Sequence, residues 1–298
     1  MSARSDSTFL GVVQFIHPGA EHKVGSDGWT PWNTTLHRRK FMTVQGSSVD
    51  KGGAERSSEL NFWGEWEAPS QLLETWESRE RTLPRFRVRP TYPGPATPTP
   101  GLQNTDPYVF GNSFKYTLCK QARKTGRRTF LANLAPGTLI LFGSSLLGRF
   151  VLDTAFIVSE DIVSHNKSTW EQVTKSEGDV YRDVTLRPMY WDRNIKPETD
   201  FSLYVGASMR NQFNDTFSFF PCQQTDTSGS RFARPTLDLK GIVNHALLIG
   251  QRRTALPLAQ IQEVWESVRS QVLDAGLRLG VCADEPKQSM VPPHLWPH

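Results

Sequence analysis

Cysteine is scarce in this chain: three residues in 298, Cys119, Cys222 and Cys282, far apart and without paired spacing. That argues against a disulfide framework and against a Cys-based zinc site. No run approaches the roughly eighteen apolar residues of a membrane-spanning helix. The apolar patch inside MSARSDSTFLGVVQFIHPG is too short and too interrupted for a signal peptide. The expectation is a soluble, cytoplasmic protein with no membrane partner. Also missing are a Walker loop, a GxGxxG turn opening a helix, the HxE…PCxxC signature of zinc deaminases and a GxSxG elbow. Nucleotide hydrolysis, dinucleotide redox chemistry and zinc deamination therefore have no motif, and no cofactor is expected.

What is present is an ordinary globular composition, 37% hydrophobic and 21% charged, over a length that can bury a real core. The expected organisation is a single α+β domain over residues 1–285 followed by a C-terminal tail, 286–298. The net charge of +4 and pI near 9.0 permit a phosphate-bearing partner without demanding one. The basic residues are clustered: His37-Arg38-Arg39-Lys40 in one knot, and Lys115, Lys120, Arg123, Lys124, Arg127 and Arg128 in another. Each cluster alone reads as a solvated face. Two of them flanking an aromatic-rich centre point to nucleic acid.

Short strands dominate the pattern. Residues 9–16, FLGVVQFI, are apolar and β-branched, as a buried strand requires. RRKFMTVQGS and SSELNFWGEWE read as further strands, with Glu65 and Glu67 expected on the face of Trp63 by alternation. Five prolines and two glycines in PTYPGPATPTPG, residues 90–101, make a loop. Strands are also expected at 138–142, 149–160 and 200–208, with shorter ones between 165 and 200. Leu258, Ile261, Val264, Trp265, Val268 and Val272 fall at helical spacing between Pro257 and Gly276, which predicts a C-terminal helix packed on the sheet. The fold class expected is α+β, short-strand-dominated and partly barrel-like.

Two segments carry chemistry. In Asn104-Thr105-Asp106-Pro107-Tyr108, Asn and Asp before proline favour an ordered turn that can hold a carboxylate toward a pocket. The aromatics Tyr108, Phe110, Phe114 and Tyr116 surround it, either as core or as faces on which bases stack. In Asn61-Phe62-Trp63-Gly64-Glu65-Trp66-Glu67, a carboxylate against an indole has its pKa raised by desolvation, which suits acid or base work. The other reading is an edge strand with solvated glutamates. His17, Glu21 and His22 offer metal-ligand chemistry, but no third histidine follows at a characteristic spacing, so hydrogen-bonding loop residues are the commoner outcome and no metal is expected. His37 beside Arg38, Arg39 and Lys40 reads as a phosphate contact, and Asn33 as a base-edge or phosphate ligand.

The ordered set QFIHPGAEH, WNTTLHRRKF, NFWGEWE, QNTDPYVFGNSFKYTLCKQ, LAPGTLILFGS and FVLDTAFIV resembles a group of bacterial proteins that includes an anti-phage DNA glycosylase acting on glucosylated hydroxymethylcytosine. LAPGTLILFGS with RFVLDTAFIV is also similar to the turn-and-strand pattern of PUA-like barrels. Asp106-Pro107-Tyr108 is similar to the DPY of uracil-DNA glycosylases, although the flanking Gly-Gln and the following His of that motif are absent. The resemblance implies a monofunctional DNA glycosylase that flips and excises a modified cytosine from phage DNA in antiviral defence. On that reading Asp106, with Glu65 next, would stabilise the oxocarbenium-like charge. Asn61, Trp63, Asn104, Tyr108, Phe110 and Asn112 would shape the base pocket. Asn33, His37, Arg38, Arg39, Lys40, Lys115 and Lys120 would hold DNA. A non-catalytic reader of modified nucleic acid, and a metal-dependent nuclease, remain the alternatives.

Overall fold

The computed structural model describes residues 8–34, 36–77, 80–95, 101–191, 195–225, 231–292 and 295. Its strands form two mixed sheets. The first runs, edge to edge, β12 (Gly250–Ala255), β1 (Gly11–His17), β8 (Leu139–Leu146), β9 (Arg149–His165), β10 (Phe201–Gly206) and β7 (Lys115–Tyr116). The second runs β13 (Arg278–Ala283), β11 (Phe220–Gln224), β4 (Glu55–Glu65), β3 (Arg39–Val49), β6 (Phe86–Pro90), β5 (Ser70–Thr75) and β2 (Trp29–Thr30). β1 pairs parallel with β8, and β3 pairs antiparallel with β4 along its whole length. With the helix Leu258–Asp274, this is an α+β, sheet-rich fold.

The central strands are buried on both faces, which explains their unbroken apolar runs. Alternation sends Val13 and Phe15 of β1, with Ile140 and Phe142 of β8, into one hydrophobic cluster that also holds Phe62, Trp66 and Phe110. It sends Val12, Ile16, Leu139 and Leu141 into a second cluster with Phe41, Trp63 and the helix. The helix starts after Pro257 and stops before Gly276, whose φ of 76° suits glycine, and it buries Ile261, Trp265, Val268 and Val272. Each such side chain contributes about 1.5–3 kcal/mol. Trp265 also donates from Nε1 to Phe217 O at 2.8 Å.

Two expectations change. Between 165 and 200 the chain makes helical turns at Trp170–Val173, Asp179–Tyr181, Arg182–Leu186 and Arg187–Tyr190 instead of short strands. Pro188, which has no N–H for a ladder, fits the first turn of the last of these. The beginning of the expected tail is tied down: Gln288 bridges to Tyr92, and Ser289 N donates to Tyr92 O at 3.0 Å. Residues 293, 294 and 296–298 of that tail, and 96–100 of the proline loop, lie outside the described residues. No helix among the described residues is long and apolar enough to cross a membrane.

Candidate active site

The β3–β4 register places Arg39 opposite Glu65, Phe41 opposite Trp63 and Thr43 opposite Asn61, all on one face. In the other sheet, the parallel β1–β8 pairing sets His17 beside Ser144. Polar side chains join the two sheets where these strand ends meet. Arg39 Nη1 donates to Glu65 Oε1 at 2.5 Å, and the same oxygen touches His17 Nδ1. Arg39 Nε donates to Asp153 Oδ2 of β9 at 2.7 Å and to Ser144 Oγ at 3.2 Å. Arg234 donates to Ser144 Oγ at 3.0 Å and to Gly19 O at 2.9 Å. All six side chains are buried. Such a network resists deletion of one partner, because the rest would be left as uncompensated buried charge.

One side of the network carries polar atoms without partners. Glu67, just past β4, is fully buried; its Oε1 accepts from His37 Nδ1 at 2.9 Å, and Glu65 Oε2 lies 3.9 Å from the same nitrogen. Glu65 Oε2, Glu67 Oε2, Asn33 Nδ2 and Asn104 Nδ2 are buried without a hydrogen-bond partner. Buried polar atoms are ordinarily satisfied, so four such atoms on neighbouring segments mark a place where a polar ligand belongs. The segments are knitted together: Asn33 N donates to Glu67 O, Gln103 N to Asn33 O, and Glu67 N to Thr105 Oγ1, at 2.9–3.0 Å. His37, with its side chain 18% exposed, is less buried than Glu65 and Glu67.

Asp106 serves a neighbouring turn. Its two oxygens accept from Thr117 N at 3.1 Å and Cys119 N at 3.0 Å. Cys119 sits between Leu118 and Lys120, whose φ values of 50° and 60° are left-handed. Two non-glycine residues in that region cost on the order of 1 kcal/mol each, so the surroundings must hold the turn. Asp106, the Tyr116 hydroxyl donating to Cys119 O at 2.8 Å, and His165 against Thr117 Oγ1 at 2.8 Å do so. The turn brings Cys119 Sγ to 3.3 Å from His17 Nε2.

Proton affinities follow from this packing. Burial holds His17 below the ordinary histidine range despite Glu65. Burial also works against charge on His37, but Glu67 and Glu65 outweigh it and raise that imidazole to about 9. At Glu65 burial is overcome by His17 and Arg39, which hold the carboxyl well below its usual range. Burial, with the neighbouring Glu65, pushes Glu67 up. Burial raises Asp106 and, helped by Asp106 and Glu65, the Cys119 thiol. Burial depresses Lys40 to about 7. His37, Glu65 and Glu67 each offer one ligand atom within 4.8 Å of the others, a donor set that can also hold a metal ion.

The expected site residues separate into several places. His37 and Glu65 come together, on segments tied by backbone hydrogen bonds to those that carry Asn33 and Asn104, with Asp106 supporting the adjoining turn. The stacking aromatics do not: Tyr108, Phe110, Phe114 and Tyr116 are core, and Tyr108 donates to Glu285 at 2.8 Å. Trp63 is wedged between Phe41 and Arg234 and donates to Phe232 O, so neither ring face is free to stack a base. Asn61 lies four residues, ~13 Å, back along the strand from Glu65 and accepts from Thr43 and Thr225. Asn112 lines a separate cleft with Lys115 and Glu177.

The phosphate contacts need correction too. Arg39 and Lys40 point inward, because both faces of β3 are covered; Lys40 donates to Ala68 O at 2.8 Å and Ser70 Oγ at 3.2 Å. Lys115 is buried over the Tyr181 ring, 3.7 Å from Glu177. Arg38 remains available in a cleft of about 380 Å³ with Lys23, Arg81 and Arg234, and Lys120 is exposed beside Arg123, Lys124 and Arg127. Sequence reading passed over Cys119, Ser144, Asp153 and Arg234, and read His17 only as part of a possible metal loop. The one sequence signal for Asp153 is charge inside an otherwise apolar strand pattern; Arg234 lies in a loop and had none. Comparison with protein-family models, curated proteins and solved structures finds no match.

Proposed function

We propose that this protein is a cytoplasmic monofunctional DNA glycosylase that excises a modified cytosine, of the glucosylated hydroxymethyl type, from phage DNA as an antiviral defence. The observation that carries the reading is the buried pair Glu65 and Glu67, each with one unpartnered oxygen, facing the single His37. Cleaving an N-glycosidic bond requires an anion beside a sugar that develops positive charge, and an acid or base that moves one proton. Glu65, held ionised by Arg39, suits the first role. Glu67, with its raised proton affinity and its contact to His37, suits the second. The reactive carboxylate therefore shifts from Asp106 to Glu67. Asn33 and Asn104 supply free amide donors for a base edge. Lys120, Arg123, Lys124 and Arg127 offer exposed positive charge for phosphates near the Cys119 turn. The partly barrel-like, PUA-related character of the fold belongs to the same proposal.

A second reading is favoured by the His37, Glu65, Glu67 donor set: a nuclease that uses a divalent metal. One assay separates the two. The protein is incubated with phage DNA carrying glucosylated hydroxymethylcytosine and with unmodified DNA, in EDTA and in magnesium. Base excision gives free modified base and abasic sites in EDTA, only from the modified DNA. Strand breaks that need magnesium support the nuclease, and binding without product supports a reader.

A further inference from the structure

Cys119, His17 and Glu65 come from three separate parts of the chain, yet they meet in one line of side-chain contacts. Cys119 Sγ lies 3.3 Å from His17 Nε2, and His17 Nδ1 touches Glu65 Oε1. The carboxylate is itself anchored by Arg39 Nη1 at 2.5 Å. The imidazole is fixed edge-on against Phe15, 4.6 Å between centroids, and stacked on His37 at 5.8 Å. With Nδ1 turned to Glu65, Nε2 faces the thiol. The cysteine is half-buried at the apex of a turn with left-handed residues on both sides, Leu118 and Lys120. Backbone strain of this kind, held by Asp106 from below, presents one side chain in one direction. Neither of the other cysteines has such surroundings: Cys222 is buried near Arg278 O and Cys282 lies against Gly111 O.

We propose that Cys119, His17 and Glu65 form a nucleophilic thiol relay whose substrate is an activated acyl group, an ester or thioester. This activity goes beyond base excision and needs no nucleic acid. In the acylation step Sγ bonds to the carbonyl carbon, His17 Nε2 takes the thiol proton, and that proton passes to the departing alkoxide or thiolate as its bond to the carbonyl carbon breaks. In the second step water adds to the thioester, His17 receives its proton and returns it to Sγ, and the free acid leaves. Cys119 and His17 are the catalytic residues, and Glu65 is a positioning residue that sets the tautomer of His17.

The test uses the whole chain, without DNA, and p-nitrophenyl acetate as the acyl donor. Peptide mass mapping follows acetylation of each cysteine with time. The expected result is acetylation at Cys119 roughly 10²-fold faster than at Cys282, the size of general-base assistance. His17→Asn removes that advantage. If His17→Asn does not fold, the wild-type comparison of Cys119 with Cys282 decides alone. Equal rates at Cys119 and Cys282, or a folded His17→Asn protein that keeps the advantage, would overturn the relay. Because nucleic acid is absent, failure here leaves base excision untouched, and failure of base release leaves the relay untouched.

Discussion

Arg39 and Glu65 are directly opposed on β3 and β4, and their side chains meet at 2.5 Å between Nη1 and Oε1 with almost no exposure. Arg39 also holds Asp153 of the other sheet, so a single guanidinium ties the two sheets and fixes the charge on Glu65. Arg39→Met should destabilise the protein by about 3–5 kcal/mol, since it strands two buried carboxylates. Urea denaturation measures this. A loss below about 1 kcal/mol would mean that the pair is not as buried as described.

Glu67→Gln keeps the shape of the side chain and removes its proton chemistry. It should cost about 2–3 kcal/mol of stability through the lost charge partner of His37, preserve binding to modified DNA, and lower base release by roughly 10²–10⁴-fold. Single-turnover release of free base gives the rate, and a gel shift gives the binding.

Asp106→Ala should act through the fold. Thr117 and Cys119 lose the acceptor for their N–H groups, and the strained turn between Leu118 and Lys120 loses its anchor. The expected cost is about 1–3 kcal/mol for each buried N–H left without an acceptor, read by urea denaturation. Base release should fall no more than the folded fraction does. Complete loss of release in a fully folded Asp106→Ala protein would return the reactive role to Asp106.

The pH dependence of stability contains two opposed slopes. His37 binds its proton in the folded state up to about pH 9, above its ordinary value near 6.5. Its stabilisation is therefore complete below about pH 6.5 and is lost as pH rises through 9. Lys40, depressed to about 7, works the other way, and folding is relieved of its burial penalty as pH rises from 7 toward the ordinary lysine range. The difference in unfolding free energy between wild type and His37→Gln isolates the first slope. It should shrink by about 2–3 kcal/mol between pH 6.5 and 9. A difference that is flat or grows with pH would contradict the His37–Glu67 pairing.

Much of the frame was legible in the sequence. The apolar run FLGVVQFI and the helix between Pro257 and Gly276 depend on local patterning, and local patterning is what a single sequence displays. The direction of the polar residues on β3 was not. Basic residues at a strand end suggest solvent when a sheet has one wet face, but here both faces are covered, so Arg39 and Lys40 turn inward to carboxylates and carbonyls. The aromatics around Asp106 had the composition of a stacking surface and the placement of a core. His17 and Cys119 are 102 residues apart, and only the strand order of the first sheet and the turn after β7 bring them together. Asn33, Glu65 and Asn104 could be singled out because their residue types are chemically specific. Their shared burial, each with a polar atom unpaired, is a tertiary fact.

The most direct test of base excision is single-turnover release of free base, in EDTA, from a short duplex with one glucosylated hydroxymethylcytosine. Wild-type protein should release the modified base and leave an alkali-labile abasic site, while Glu67→Gln binds the same duplex and releases none. Release that is equal from the two proteins, or strand scission that appears only when magnesium is restored, would contradict the assignment of Glu65 and Glu67 to base excision.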